Sequence, residues 1–262
     1  MIKQFLLDLI FPRFCLGCQK ELNSKQVSFI CETCLNNIVL NSGVQCHVCG
    51  LRNANGTYRH CRKKTFLSGL FAAGQYQDPI LREAIHQFKY QSAESLKKPL
   101  AELMIKYLKK ENLLEGLSNS ILVPIPLNWR RKLSRGFNQS ELLAKELSPV
   151  LNCPVVNLLK RQKFSAPQAR IKDWKQRKEN ISGAFEVQIS PKSDFEIPRS
   201  RTFSLREISR RETNSKVGLR ELPKKIILVD DVSTSGATLE EAARVLKQAG
   251  FREIYGLVIA KG

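Results

Sequence analysis

Two adjacent carboxylates, Asp230 and Asp231, follow a short apolar run at residues 226–229 and precede Val232, Ser233, Thr234, Ser235, Gly236, Ala237 and Thr238. Small residues, hydroxyls and a glycine let successive backbone N–H groups close round an anion. A helix starting at the same place adds unpaired N–H groups and partial positive charge, which suits a phosphate. The two acids would repel that phosphate. Their expected work is to accept hydrogen bonds from vicinal sugar hydroxyls, directly or through Mg2+. A phosphorylated ribose satisfies both halves at once. An ordinary strand–turn–helix with aspartates at its turn is the alternative, but the order strand, Asp-Asp, Thr-x-Gly-x-Thr, helix is far more restrictive than a lone glycine motif.

A second group of residues supplies cations. Arg130, Arg131, Lys132 and Arg135 share residues 128–139 with Gly136, just after the apolar, proline-bearing run at 121–126. A pyrophosphate needs charge-assisted contacts at more than one oxygen, and a basic loop at the end of a strand offers them. A solvated basic turn would carry the same charges. Residues 160–185 form a third basic stretch, with Gln168, Arg177 and Asn180 as its notable polar residues. Such a stretch suits a flap that closes over a reacting diphosphate and keeps water out, although a solvated hairpin accounts for it equally well.

The cysteines point to metal. Cys15 and Cys18, Cys31 and Cys34, and Cys46 and Cys49 form three two-residue knuckles, followed by His60 and Cys61, with Cys153 apart. Paired knuckles place four thiolates on one tetrahedral Zn2+. Disulfides are the competing explanation, and the apolar start at residues 5–11, interrupted by Asp8, reads as a packed helix rather than a secretory or membrane-spanning segment. The expected setting is therefore a reducing cytoplasm. The first two knuckles complete one site. The second site lacks a last cysteine, because Lys64 stands where a repeat would place it, so His60 or His47 must complete it or the site is lost. Sites closed by protein ligands are structural staples for a module too small to hold itself together.

These groups need elements to position them. A strand is expected within residues 66–76, helices from Asp78-Pro79 to Lys89 and over 96–108, a strand at 121–126, and a helix through Leu142 and Leu147. The strand at 226–229 should stop at the acids, and Gly250 should cap the last helix. The chain of 262 residues divides into a cysteine module at 1–65 and an α/β domain at 66–262. Residues 190–223, rich in Ser, Arg and Lys and without period, read as a disordered basic insertion. The net charge of +19 calls for polyanionic partners without choosing among nucleic acid, phosphorylated metabolites and acidic membrane surfaces.

The stretch from Asp230 to Thr238 resembles the phosphoribosyl pyrophosphate (PRPP) signature of type I phosphoribosyltransferases, whose acids hold the ribose hydroxyls and whose loop holds the 5′-phosphate. The cysteine knuckles, Val-Pro-Ile-Pro at 123–126, Arg-Gly-Phe-Asn-Gln at 135–139, the Pro-Gln flap and the Asp-Asp loop occur in one order. Together they resemble the ComF/GntX family, which joins a zinc ribbon to a phosphoribosyltransferase-like domain and includes competence proteins needed for natural transformation. The resemblance implies a type I phosphoribosyltransferase-like α/β fold, an open and mainly parallel sheet flanked by helices, with a small N-terminal zinc ribbon. It also implies structural Zn2+, Mg2+ with PRPP, and partners that include single-stranded DNA and competence-machinery proteins such as a helicase or recombination factors. Two functions follow. One is transfer of phosphoribosyl from PRPP to an acceptor, with Arg130, Arg131 and Arg135 on the departing pyrophosphate and Asp230 and Asp231 on the ribose. The other is a non-catalytic single-stranded DNA-binding component that keeps a vestigial or sensory PRPP site.

Overall fold

A computed structural model describes residues 13–22, 29–90, 93–162, 180–188 and 225–262. The expected helix at residues 5–11, most of the flap with Gln168 and Arg177, and the insertion at 190–223 lie outside the described residues.

Strands that are apolar on both faces need cover on both sides, and the central sheet is built that way. In chain order the strands are β1 (Val44–Gln45), β2 (Arg52–Asn53), β3 (Gly69–Gln75), β4 (Ile121–Pro124), β5 (Leu159–Arg161), β6 (Phe185–Val187), β7 (Lys225–Ser233) and β8 (Glu253–Lys261). Six of them form a mixed sheet in the order β2-β1-β3-β8-β7-β4. The β3/β8, β8/β7 and β7/β4 pairs are parallel, while β1 is antiparallel to both β2 and β3. Strands β5 and β6 make a separate antiparallel pair. Pro124 ends β4, the outermost strand, where a missing N–H costs the ladder little.

The helices are α1 (Glu32–Asn36), α2 (Pro79–Tyr90), α3 (Lys97–Lys110), α4 (Leu114–Leu117), α5 (Trp129–Arg135), α6 (Gln139–Leu151) and α7 (Ala237–Gln248). Along β7, Ile227 and Val229 join a core with Leu81, Ile85 and Phe88 of α2, Met104 of α3 and Leu143 of α6. Ile226 and Leu228 join the opposite core with Leu239, Ala242 and Leu246 of α7 and Phe185 of β6. The result is an α/β protein of three layers. Helix α7 connects the adjacent parallel strands β7 and β8, a strand–helix–strand unit that leaves the C-terminal edge of β7 facing the start of α7.

The cysteine module is not a separate bead. Gln45 of β1 pairs with Leu70 of β3, so the module adds two strands to the main sheet. Cys34, Leu35 and Ile38 also pack into the core of α2 and α3.

Candidate functional site

Strand β7 does not stop at its acids as the sequence suggests. Asp230, Val232 and Ser233 stay in register with Val258, Ala260 and Lys261 of the equally long β8, which supplies ladder partners past the charged pair. On the other side Ile125 N–H donates to Val229 O (2.9 Å), holding β4 against β7 up to the residue before Asp230.

Both carboxylates have partners from other elements. Asp230 Oδ1 accepts from Ser140 Oγ (3.0 Å) in the first turn of α6 and from the Asp231 backbone N–H (2.9 Å). Asp231 Oδ1 lies 3.1 Å from Lys89 Nζ near the end of α2. Burial, and next the Asp231 charge, push Asp230 up to about 7, against the Asp231 N–H, Lys89 and Ser140. Burial opposes the charge on Lys89 most strongly, but Asp231 and, less strongly, Asp230 together outweigh it and hold the ammonium above its ordinary range. Each carboxylate offers about four lone-pair positions, so capacity remains for hydroxyls or a cation.

The basic segment after β4 is a short helix rather than the expected loop. Asn128, only 3% exposed, caps α5 by accepting from Arg130 N–H (3.0 Å), and Gly136 in the left-handed region ends it. Asn138 then caps α6 and donates to Ile125 O (3.1 Å), tying the connection to the end of β4. The helix sends its arginines different ways. Arg135 lies over the Tyr90 ring (5.0 Å), donates to Gln139 Oε1 (3.2 Å) and is close enough to act electrostatically on Lys89. Arg131 acts on Arg161 at the end of β5, and Arg161 in turn feels Asp230. Burial above all, then Arg131, lowers Arg161 to about 10, against the pull of Asp230. Arg130, exposed, stacks on exposed Trp129 (5.3 Å).

The turn between β7 and α7 is organised around Gly236, which occupies the left-handed region (φ 73°) and forms the N-cap of α7. Ser235 Oγ accepts from Ala237 N–H (3.4 Å), and Lys261 Nζ donates to Thr234 O (2.5 Å). Ser233 Oγ is buried without a hydrogen-bond partner, which a ligand at this turn would relieve. Glu240, in the first turn of α7, accepts from Thr65 Oγ1 (2.6 Å) and Phe66 N–H (2.8 Å) and lies 3.7 Å from His47 Nε2. Burial lowers the His47 pKa, with Glu240 opposing and Lys261 adding to the shift.

Two cysteine clusters stand in the module. The Sγ atoms of Cys15, Cys18, Cys31 and Cys34 lie within 4.8 Å of one another. Cys18 and Cys31 are 3.8 Å apart, the edge of a tetrahedron with four Zn–S bonds of about 2.3 Å. Backbone N–H groups of Gly17 and Cys31 donate to Cys15 Sγ at 3.4 and 3.3 Å, and Cys34 N–H donates to Cys31 Sγ at 3.4 Å. Burial and the neighbouring thiols push Cys34 up to about 12, whereas, against burial, backbone N–H groups bring Cys15 down to about 6. Four thiolates this close together repel one another unless a cation lies among them. The donor set fits structural zinc. The second cluster holds Cys46, Cys49 and Cys61. His60 is exposed against Tyr58 (5.7 Å between rings) at the start of the 3-10 helix Arg59–Lys64, and neither it nor His47 joins the three thiols. The expectation that a histidine completes this site is therefore not met, but the site is not dispersed: three thiolates fill three of the four positions of tetrahedral zinc.

Residues 6–64 match the double zinc ribbon domain. The chain is 26% identical over 246 residues to competence protein F of Haemophilus influenzae, covering 92% of this chain and 93% of that one. It is 25% identical over 248 residues to the DNA utilization protein YhgH of Escherichia coli K12, covering 92% and 94%, and 25% identical over 230 residues to competence protein ComFC of Bacillus subtilis, covering 84% and 79%. The chain resembles the ComF family along nearly its whole length. The match fits a zinc ribbon at the N-terminal end, whereas the similarity carries no geometry for the acids and cations at the β7 edge.

The sequence marks Lys89 only as a helix terminus, and no local pattern singles out Ser140, Arg161 or Lys261. Only Lys89 carried a signal. It shares the apolar face of its helix with Leu81, Ile85 and Phe88, where a cation needs a buried partner.

Proposed function

We propose that this ComF-like chain serves DNA uptake and binds Mg2+ and PRPP at the C-terminal edge of β7 within a type I phosphoribosyltransferase-like fold. The observation that carries the reading is the placement of Asp230 and Asp231 on a central parallel strand directly before a Gly236-capped turn into α7, with Lys89 at the same edge. The acids fit the ribose hydroxyls, alone or with Mg2+, and the turn with the α7 N-terminus fits the 5′-phosphate. Arg131, Arg135 and Arg161 supply charge for the pyrophosphate. In the transfer reaction the bond from C1 of the ribose to pyrophosphate breaks, a bond from C1 to an acceptor nucleophile forms, and the nucleophile loses its proton to solvent. The chain's own residues would orient the sugar and stabilise the departing charge. Calorimetric titration with PRPP and Mg2+ tests the reading: wild type binds, and Asp230→Asn/Asp231→Asn, folded, does not. Absence of binding by folded wild type would overturn it.

A second reading is favoured by one feature. Trp129 and Leu133 are 63% and 75% exposed on α5, Arg130 stacks on Trp129, and Lys132 is exposed beside them. An aromatic ring flanked by cations suits stacked bases and their phosphates, so single-stranded DNA is the proposed macromolecular partner, with or without catalysis. Its affinity should fall steeply with salt through counterion release, and Trp129→Ala should weaken it. Salt-independent binding would reject this surface.

A further inference from the structure

The second cysteine knuckle reaches the phosphate turn. His47 lies between Cys46 and Cys49, and its ring rests on Gly236: a Cβ built on that glycine would stand 1.9 Å from His47 Cε1 and 2.5 Å from Nδ1. These contacts are far inside van der Waals range, so the bare Cα of Gly236 is what admits the ring. The approach is anchored on both sides. Glu240 of α7 lies 3.7 Å from His47 Nε2 and also accepts from Thr65 and Phe66, which follow the helix bearing Cys61. Lys261 donates to Thr234 O in the same turn. His47 Nδ1 is buried without a hydrogen-bond partner, as is Ser233 Oγ in the turn itself. The turn that would close round a phosphate is thus walled by a residue that lies between two cysteines of the second cluster.

We propose that His47 is a positioning residue for the 233–236 turn, so that metal occupancy at Cys46, Cys49 and Cys61 and phosphate-ligand occupancy at the turn favour one another. The proposal rests on the phosphate-site reading above for its ligand and on the His47–Gly236 contact for its coupling. Metal binding draws Cys46 and Cys49 onto one ion and holds the intervening residue in place. Loss of the ion frees the knuckle and withdraws the wall of the turn. Linkage makes the effect reciprocal: whatever factor zinc adds to ligand affinity, the ligand adds to zinc affinity.

The test uses the full chain loaded with zinc and a chromogenic zinc chelator. PRPP with Mg2+ should slow release of the second-knuckle ion by about tenfold, within the usual range of coupling between sites. That ion is identified as the one missing from Cys46→Ser/Cys49→Ser. In His47→Ala the zinc content should stay at the wild-type level while the protection disappears and PRPP affinity falls. Gly236→Ala should lose ligand binding, and His47→Ala should restore part of it in the double variant, because the ring that collides with the new Cβ is gone. The rescue tests the contact itself; loss of the protection at unchanged zinc content is what a purely structural histidine would not show. Wild type that binds PRPP calorimetrically but releases zinc at an unchanged rate would overturn the coupling. Wild type that fails to bind PRPP would overturn the phosphate-site reading instead. The coupling then stands or falls on amide exchange: Cys46→Ser/Cys49→Ser should speed exchange across residues 233–238, and unchanged exchange would reject it.

Discussion

Lys89 Nζ stands 3.1 Å from Asp231 Oδ1, joining the C-terminal end of α2 to the C-terminal part of β7. The pair neutralises half of the charge that two neighbouring aspartates would otherwise concentrate at one place. Lys89→Met should therefore destabilise the fold by about 2–3 kcal/mol, because removing one partner leaves the other charge unpaired. Chemical denaturation would show it. Asp231→Asn combined with Lys89→Met should cost less than the two single changes together, and strict additivity would argue against the pairing.

Asp230 sets a pH dependence. Its pKa in the folded chain is raised from 3.8 to about 7, so between those values the folded state holds a proton that the unfolded state has released. Stability from this group is present in full below about pH 4 and is lost as pH rises through about 7. Asp230→Asn should flatten that decline and raise the thermal midpoint at pH 8, an effect on the order of 4 kcal/mol. Mg2+ favours the ionised form, so PRPP binding with Mg2+ should tighten from pH 6 to 8. Midpoints that fall with pH equally in both proteins would show that another group dominates.

Metal content distinguishes the two clusters. Elemental analysis of protein purified without chelator should find about two zinc ions per chain, and Cys34→Ser should lose one of them. Cys34 also packs into the core shared with α2 and α3, so the same variant should lower the thermal midpoint. Retention of both ions by Cys34→Ser would place the first site on other ligands.

Arg161 tests the cations beside Asp230. Its guanidinium lies over the Phe185 ring (5.5 Å) and interacts with Asp230 and Arg131. Arg161→Met keeps much of the apolar stem against Phe185 and removes the charge. PRPP affinity should drop about tenfold, or about 1.4 kcal/mol, with little loss of stability. Calorimetry beside thermal melting separates the two effects.

Local patterns were legible where one segment does one job. The apolar run before Asp230, the helix behind Gly236, the Asp78-Pro79 start of α2 and the cysteine spacings each announce themselves within one stretch of sequence. What escaped depends on distant partners. Strand β7 continues past its acids because β8 is long enough to pair with it, which no inspection of residues 225–233 reveals. The basic segment 129–135 became a helix because Asn128 and Gly136 cap it, whereas its charges alone suggested a loop. Ser140, Arg161 and His47 arrive from three different elements, and only the packing of those elements brings them to one sheet edge.

The pairing of Gln45 with Leu70 has a consequence for how the chain assembles and survives. Strand β3 would otherwise present an open row of backbone donors and acceptors, the kind of border along which sheets of separate molecules zip together. The cysteine ribbon lies along that border as a selvedge. Cutting the chain near residue 65 would not release two working halves; it would leave the larger piece with a raw edge that invites self-association.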